Sequence, residues 1–150
     1  MHIVLYQPEI PPNTGNVIRL CANLGARLHL IEPLGFSLDN ARLRRAGMDY
    51  REMAVVHTWP SLDSLRAAWP GARWLAVSTR GATRYDRIAY RDDDMLLFGP
   101  ETRGLPQPLL DDLGDAATMR IPMRPHNRSL NLSNAVAVVA FEAWRQRGFR

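Results

Sequence analysis

The stretch that most constrains this chain is Met95 to Pro106, Met-Leu-Leu-Phe-Gly-Pro-Glu-Thr-Arg-Gly-Leu-Pro. Met95 to Phe98 is apolar at every position, without alternation of polar and apolar residues. A strand with one wet face alternates, and a strand buried on both faces does not. The run therefore predicts a strand in the middle of a parallel sheet. It stops at Gly99-Pro100, and Gly104 and Pro106 follow. Glycine frees the backbone and proline fixes it, so a buried strand empties into a tight turn. In open α/β sheets, ligands bind beyond the carboxyl ends of the strands. A glycine-flanked loop there lets backbone groups approach a ligand closely. Glu101 and Arg103 are the charges such a loop would present, unless it is an ordinary turn with two surface charges.

The remaining segments alternate in the same way. His2 to Tyr6 predicts a first strand. The loop Gln7 to Asn16 holds three prolines, Pro8, Pro11 and Pro12, and reads as stiff and non-helical. Asn13 or Thr14 would cap the next helix. In that helix Val17, Leu20, Cys21 and Leu24 recur at i, i+3, i+4, i+7 and form its buried face. Cys21 lies on that face and reads as core packing. Arg19 and Asn16 lie off the stripe, near the loop. A helix start with free amides and an arginine would suit phosphate, and a capped helix with a solvated arginine is the alternative.

Gly25 closes this helix, and Leu28 to Ile31 is a second strand. Asp39 would cap a short basic helix, Ala41 to Ala46, in which Arg42, Arg44 and Arg45 cluster either as a solvated face or as a phosphate-binding patch. Asp49 to Arg51 reads as loop. Met53 to His57 is a third strand, Ser61 caps a helix with Leu62, Leu65 and Trp69 inward, and Trp74 to Val77 is a fourth strand. Ser78 to Gly81 is a second polar strand end. Arg84 to Arg91 reads as irregular or edge structure, and Asp92 to Asp94 as a solvated turn. A helix follows from Pro106 to Leu113, then a last strand, Thr118 to Ile121, and the loop Pro122 to Leu130. The final helix runs from about Asn131 to Arg147. Asn131, Ser133 and Asn134 offer several caps at its start. Ala135 to Phe141 is unbroken apolar sequence. A helix apolar all round must be buried all round, which points to a second subunit.

At 150 residues the chain predicts one domain, residues 1–150. No apolar run approaches the roughly 18 residues of a membrane span. The first residues lack the basic start of a signal peptide. One cysteine excludes an internal disulfide and fits a reducing cytoplasm. The net charge is +4, and every basic residue counted with it is arginine, whose fork binds phosphate and stacks on bases. A nucleic-acid partner is compatible with this balance. The four histidines show no metal-ligand spacing, with His2, His29 and His57 in or beside separate strands. His126 lies between Arg124 and Arg128, which disfavour its protonated form. There is no P-loop and no Gly-x-Gly-x-x-Gly.

The alternation predicts an α/β fold, with a mainly parallel sheet of about six strands flanked by helices. The loops after the two latest strands could wall one cofactor pocket. Three segments carry a resemblance: Asn13 to Arg19, Leu97 to Pro106, and Ile121 to Met123 with Ser129 to Ala135. In order and spacing they resemble the three motifs of the SPOUT RNA methyltransferases. Arg42 to Tyr50 and Phe141 to Gln146 are similar to the minimal subgroup, the tRNA (cytidine/uridine-34)-2′-O-methyltransferases.

The resemblance implies a C-terminal trefoil knot, a homodimer without metal or membrane, and S-adenosylmethionine as cofactor. It implies tRNA as partner, with transfer to the ribose 2′-hydroxyl of the wobble cytidine or modified uridine, position 34 of leucine tRNAs. Carried onto this chain, cofactor contacts fall at Val77, Gly99, Gly104, Ile121, Met123, Ser129, Leu130 and Ser133. Asn16 and Arg19 would face the acceptor nucleotide as catalytic residues, and Arg42, Arg44, Arg45 and Arg128 would contact RNA. Relatives often carry tyrosine where this chain has Phe141, so a hydroxyl there is unavailable, though stacking is not. The motif-one arginine is often given the role of base, but arginine keeps its proton in nearly every protein environment. Arg19 therefore reads as a phosphate clamp and alkoxide stabiliser, with proton removal by water or a substrate phosphate. Two other functions fit the same residues: an RNA-binding module without activity, and an α/β nucleotide-binding enzyme of other chemistry.

Overall fold

The computed structural model describes residues 1–39, 45, 47–53 and 55–150, with Tyr50 and Arg51 as backbone only. In chain order its elements are β1 (His2–Tyr6), α1 (Pro11–Leu24), β2 (Arg27–Ile31), α2 (Tyr50–Met53), β3 (Val56–Trp59), α3 (Leu62–Ala68), β4 (Trp74–Val77), β5 (Thr83–Arg84), β6 (Met95–Phe98), α4 (Gln107–Leu113), β7 (Thr118–Arg120) and α5 (Leu132–Gln146). The seven strands form one sheet in the order β3-β2-β1-β6-β4-β7-β5, and every pairing is parallel.

The apolar run Met95–Phe98 takes the central place and is buried at all four positions. Leu96 registers with Ile3 of β1 on one side and Leu75 of β4 on the other. Successive residues of β6 feed opposite faces. Leu96 and Phe98 join a core with Val17, Ile18 and Cys21 of α1 and Val136, Val139 and Ala140 of α5. Met95 and Leu97 join a second core with Leu62 and Leu65 of α3 and Leu110 of α4. Cys21 is fully buried, and burial pushes its thiol up to about 12, so it is inert packing.

Several expectations change. The sheet has seven strands rather than about six, because Thr83–Arg84 adds a short edge strand beside β7, at the start of the segment expected to be irregular or edge structure. Helix α1 begins at Pro11, so neither Asn13 nor Thr14 caps it; both are buried in its first turn. Proline is tolerated at these first positions because their N–H groups need no helical partner. Asp49 to Arg51 is not simply a loop, since α2 starts at Tyr50, and β3 begins at Val56 rather than Met53. The cause is a reciprocal cap. Asp49 Oδ1 accepts from Glu52 N, and Glu52 Oε2 accepts from Asp49 N, both at 2.9 Å. The basic helix expected from Ala41 to Ala46 lies outside the described residues, apart from Arg45. In the acidic turn, Asp92 and Asp93 are exposed as expected, but Asp94 is buried. It is held by Arg73 at 2.6 and 2.7 Å and by the Arg91 amide.

The parallel register also brings together histidines that sequence spacing keeps apart. His2, His29 and His57 lie on neighbouring strands with their rings stacked 5.2 and 5.7 Å apart. The Trp59 indole N–H can only donate, and it donates to His29 Nδ1 at 3.0 Å. Neutral His29 therefore carries its proton on Nε2 and donates it to His2 Nδ1 at 2.9 Å. Burial moves the two pKa values down, to about 3 for His29 and about 4 for His2.

In the unfolded chain both histidines take up protons near pH 6.5. Their contribution is present above that pH and is lost as pH falls toward 4 and then 3. The melting temperature of the wild type should therefore drop more steeply from pH 6.5 to 4 than that of His29→Phe. Parallel curves would show that the imidazole pair is not a source of acid sensitivity.

Candidate functional site

A cavity of about 510 Å³ opens beyond the carboxyl ends of β4, β6 and β7. Three segments wall it: Val77 to Arg80, Phe98 to Leu105, and Ile121 onward to Leu132. Ile10 and Asn13 close one side from the start of α1, and Ala135 adds to the wall from α5. Its volume is within the usual range for a small-molecule site, roughly 300 to 1,000 Å³.

The loop after β6 turns back on its own glycine. A Cβ placed on Gly99 would lie 2.4 Å from the Leu105 nitrogen and 2.5 Å from the Gly104 carbonyl carbon. Only glycine permits that approach, so the wall here is backbone.

The charged residues of this loop line the cavity but are engaged by protein partners. The Glu101 carboxylate accepts from the amides of Glu9 and Ile10 at 2.8 and 3.0 Å, and from Asn13 Nδ2 at 3.4 Å. Thr102 donates to the Glu9 carboxylate at 2.7 Å, and Arg103 donates to Gln7 Oε1 at 3.1 Å. Asn131 Nδ2 donates to Asn13 Oδ1 at 2.9 Å. The backbone N–H and hydroxyl of Ser133 donate to Asn131 Oδ1, capping α5. One chain of hydrogen bonds thus runs from Ser133 through Asn131 and Asn13 to Glu101, and joins three segments far apart in sequence.

This arrangement removes the anion site expected at the start of α1. Pro11 and Pro12 have no N–H, and the amides before them are taken by a carboxylate. A helix start without free donors, facing a negative charge, does not attract phosphate.

Of the residues expected to hold a cofactor, Val77, Gly99, Gly104, Ile121, Met123, Ser129 and Leu130 all line the cavity. Ser133 does not, being engaged in the α5 cap. Asn16 is exposed and outside the lining, whereas Asn13, three residues earlier, is buried in it. Arg19 is also outside the lining. Its side chain is 54% exposed, and its Nε pairs with Glu52 Oε1 at 3.1 Å. Arg45 and Arg128 are exposed, and Arg42 and Arg44 lie outside the described residues. Sequence reasoning missed Asn13 as a wall residue and Glu52 as the partner of Arg19. A signal for the second was available, because Asp49-x-x-Glu52 is the spacing of a capping box. Among the described residues no cluster of histidine, cysteine or carboxylate side chains suits a metal ion.

The fold and cavity define an α/β protein with a cavity of small-molecule size at the carboxyl edge of a parallel sheet. Comparison with known proteins narrows this class. Residues 1–141 match the model of the SpoU rRNA Methylase family. A tRNA (cytidine(34)-2'-O)-methyltransferase of Burkholderia cenocepacia (strain HI2424) is 59% identical over 150 residues, covering 99% of this chain and 96% of the relative. A solved structure concerned with the 2-OH methylation of C/U34 on tRNA superposes with a TM-score of 0.90 at 49% identity, over 99% of this chain and 97% of that one. The SpoU methyltransferase AviRb from Streptomyces viridochromogenes, solved with AdoMet, superposes with a TM-score of 0.79 at 26% identity, over 98% of this chain and 57% of that one. The chain belongs to the SpoU methylase family.

The Glu101 knot is testable without any ligand. Hydrogen bonds to a charged group contribute roughly 1.5–3 kcal/mol each, so Glu101→Ala should lower unfolding stability in urea by about 2 kcal/mol or more. Arg103→Ala, at a 63% exposed side chain, should cost less than about 1 kcal/mol. Equal costs for the two would contradict the role given to the carboxylate.

Proposed function

We propose that this chain is an S-adenosylmethionine-dependent tRNA 2′-O-methyltransferase acting on the ribose of nucleotide 34, cytidine or modified uridine, of leucine tRNAs. The observation that carries the proposal is the backbone-walled cavity at the carboxyl ends of β4, β6 and β7, in which the three motif segments meet. The names of the close relatives support the substrate, and the AdoMet-bound neighbour supports the cofactor.

The residues present fit such a cofactor. Phe98, Ile121, Leu130 and Leu132 supply apolar surface for a purine and a methyl sulfonium. The close return of the loop at Gly99 leaves backbone polar groups on the wall. When bound, S-adenosylmethionine supplies an electrophilic methyl group. The protein's own part is to hold the acceptor ribose against the cavity and to exclude water. Arg19 clamps an RNA phosphate and stabilises negative charge developing on the 2′-oxygen. Its guanidinium keeps its proton, so the hydroxyl proton leaves to water or to a substrate phosphate.

Homodimerisation belongs to the same proposal. Val138 and Phe141 are exposed on α5, and Ile10, Met123 and Leu130 are exposed around the cavity mouth. Phe141 stacks edge-on with Trp144, and Phe149 with the same indole, leaving an aromatic ridge at the surface. The trefoil knot fits the topology, since β6 and β7 each insert between strands laid down earlier. No described helix is long and apolar enough to cross a membrane, and a cytoplasmic location is proposed with the tRNA substrate.

Calorimetry with S-adenosylmethionine and with its demethylated product should show binding. Ligand at 100 times its dissociation constant should add roughly 2.7 kcal/mol of stability. Absence of binding by both would favour an α/β enzyme of other chemistry. Light scattering should give twice the 17.0 kDa chain mass; a monomer that remains active would remove the dimer from the proposal.

A further inference from the structure

Arg19 on α1 and Glu52 on α2 meet on the surface, 33 residues apart in sequence. The two partners are not equally free. The Arg19 side chain is 54% exposed, that of Glu52 only 19%. Glu52 is fixed from two directions. Its backbone N–H donates to Asp49 Oδ1, and its Oε2 accepts from the Asp49 amide. The remaining oxygen, Oε1, accepts from Arg19 Nε at 3.1 Å. So a carboxylate locked by its own helix cap grips the guanidinium by its inner nitrogen. Among the described residues, none takes the two terminal nitrogens of Arg19. Holding Nε fixes the plane and direction of the fork and leaves its outer edge open, the edge that binds phosphate with two parallel hydrogen bonds.

We propose that Glu52 is the positioning residue for Arg19: it holds the guanidinium by Nε so that the terminal nitrogens face the RNA backbone. This rests on the reading of Arg19 as the RNA clamp. A free arginine side chain must be ordered when RNA binds, and one already ordered loses less freedom at that moment. The same carboxylate places a negative charge beside the RNA and opposes its binding. The two effects separate in kinetics. Glu52 should speed turnover while weakening tRNA affinity.

The test is steady-state methyl transfer to tRNA lacking the wobble methyl group, with saturating S-adenosylmethionine. Glu52→Gln keeps the size of the side chain, but an amide has one acceptor oxygen where the carboxylate uses two. The cap and the Arg19 contact cannot both survive. Misplacing a group by about 1 Å can cost as much as a hundredfold, and kcat should fall by about tenfold or more. KM for tRNA should stay level or fall, because a negative charge has gone. Local unfolding would instead raise KM and lower the melting temperature. Glu52→Asp keeps the charge and withdraws it by one methylene, and should also lose kcat, without the gain in affinity. In the Arg19→Ala background, Glu52→Gln should have no further effect on kcat.

Wild-type kcat in both Glu52 variants, with Arg19→Ala strongly slowed, would overturn the positioning role alone. Independent, multiplying losses in the double variant would overturn it as well. Wild-type turnover in Arg19→Ala would overturn the reading of Arg19 itself, and this inference with it.

Discussion

The carboxylate of Glu101 is the joint on which the site depends. It lies in the loop after the central strand and binds the backbone just before α1, more than 90 residues earlier in the chain. Pro11 and Pro12 make this contact necessary. They bring no N–H of their own to the helix start, so the donors exposed there are the amides of Glu9 and Ile10. A carboxylate at a helix N-terminus also offsets the positive end of the helix dipole. Asn13 then extends the joint to Asn131 at the start of α5. These bonds tie three loops into one wall. The acid is thus satisfied by protein donors, although it lies in the cavity wall.

Much of this was legible in the sequence where a residue has one physical use. Four apolar residues without alternation meant a strand buried on both faces, and β6 is that strand. Seven of the eight positions that the family resemblance implied around a cofactor line the cavity. The failures share a cause. Asn13 looked like a helix cap, since asparagine caps helices well, and only the chain's return from residue 131 gives it another partner. Asp94 looked solvated because its two neighbours are, and its partner Arg73 is 21 residues away. His2, His29 and His57 carry no metal spacing, yet neighbouring strands bring their rings into a stack. Long-range partners decide the role of polar residues, and a single chain read in order does not display them.

The protein separates two tasks between two regions. The cavity provides shape and polarity; Glu101 and Arg103 in its walls are held by protein partners, and Arg80 is exposed there. Arg19, which the proposed function places on RNA, sits outside the cavity with other exposed arginines. Even there, the guanidinium is restrained by a carboxylate that is itself restrained by a helix cap. Preorganisation of this kind matters when chemistry consists mainly in aligning two bound reactants. Exposed apolar residues lie on α5 and around the cavity mouth.

The most direct measurement supplies the protein with labelled S-adenosylmethionine and total tRNA from cells without wobble 2′-O-methylation, then maps the labelled nucleoside. The account predicts label on the ribose of nucleotide 34 of leucine tRNAs. Label at any other nucleotide, or cofactor binding with no transfer to tRNA at all, would contradict it.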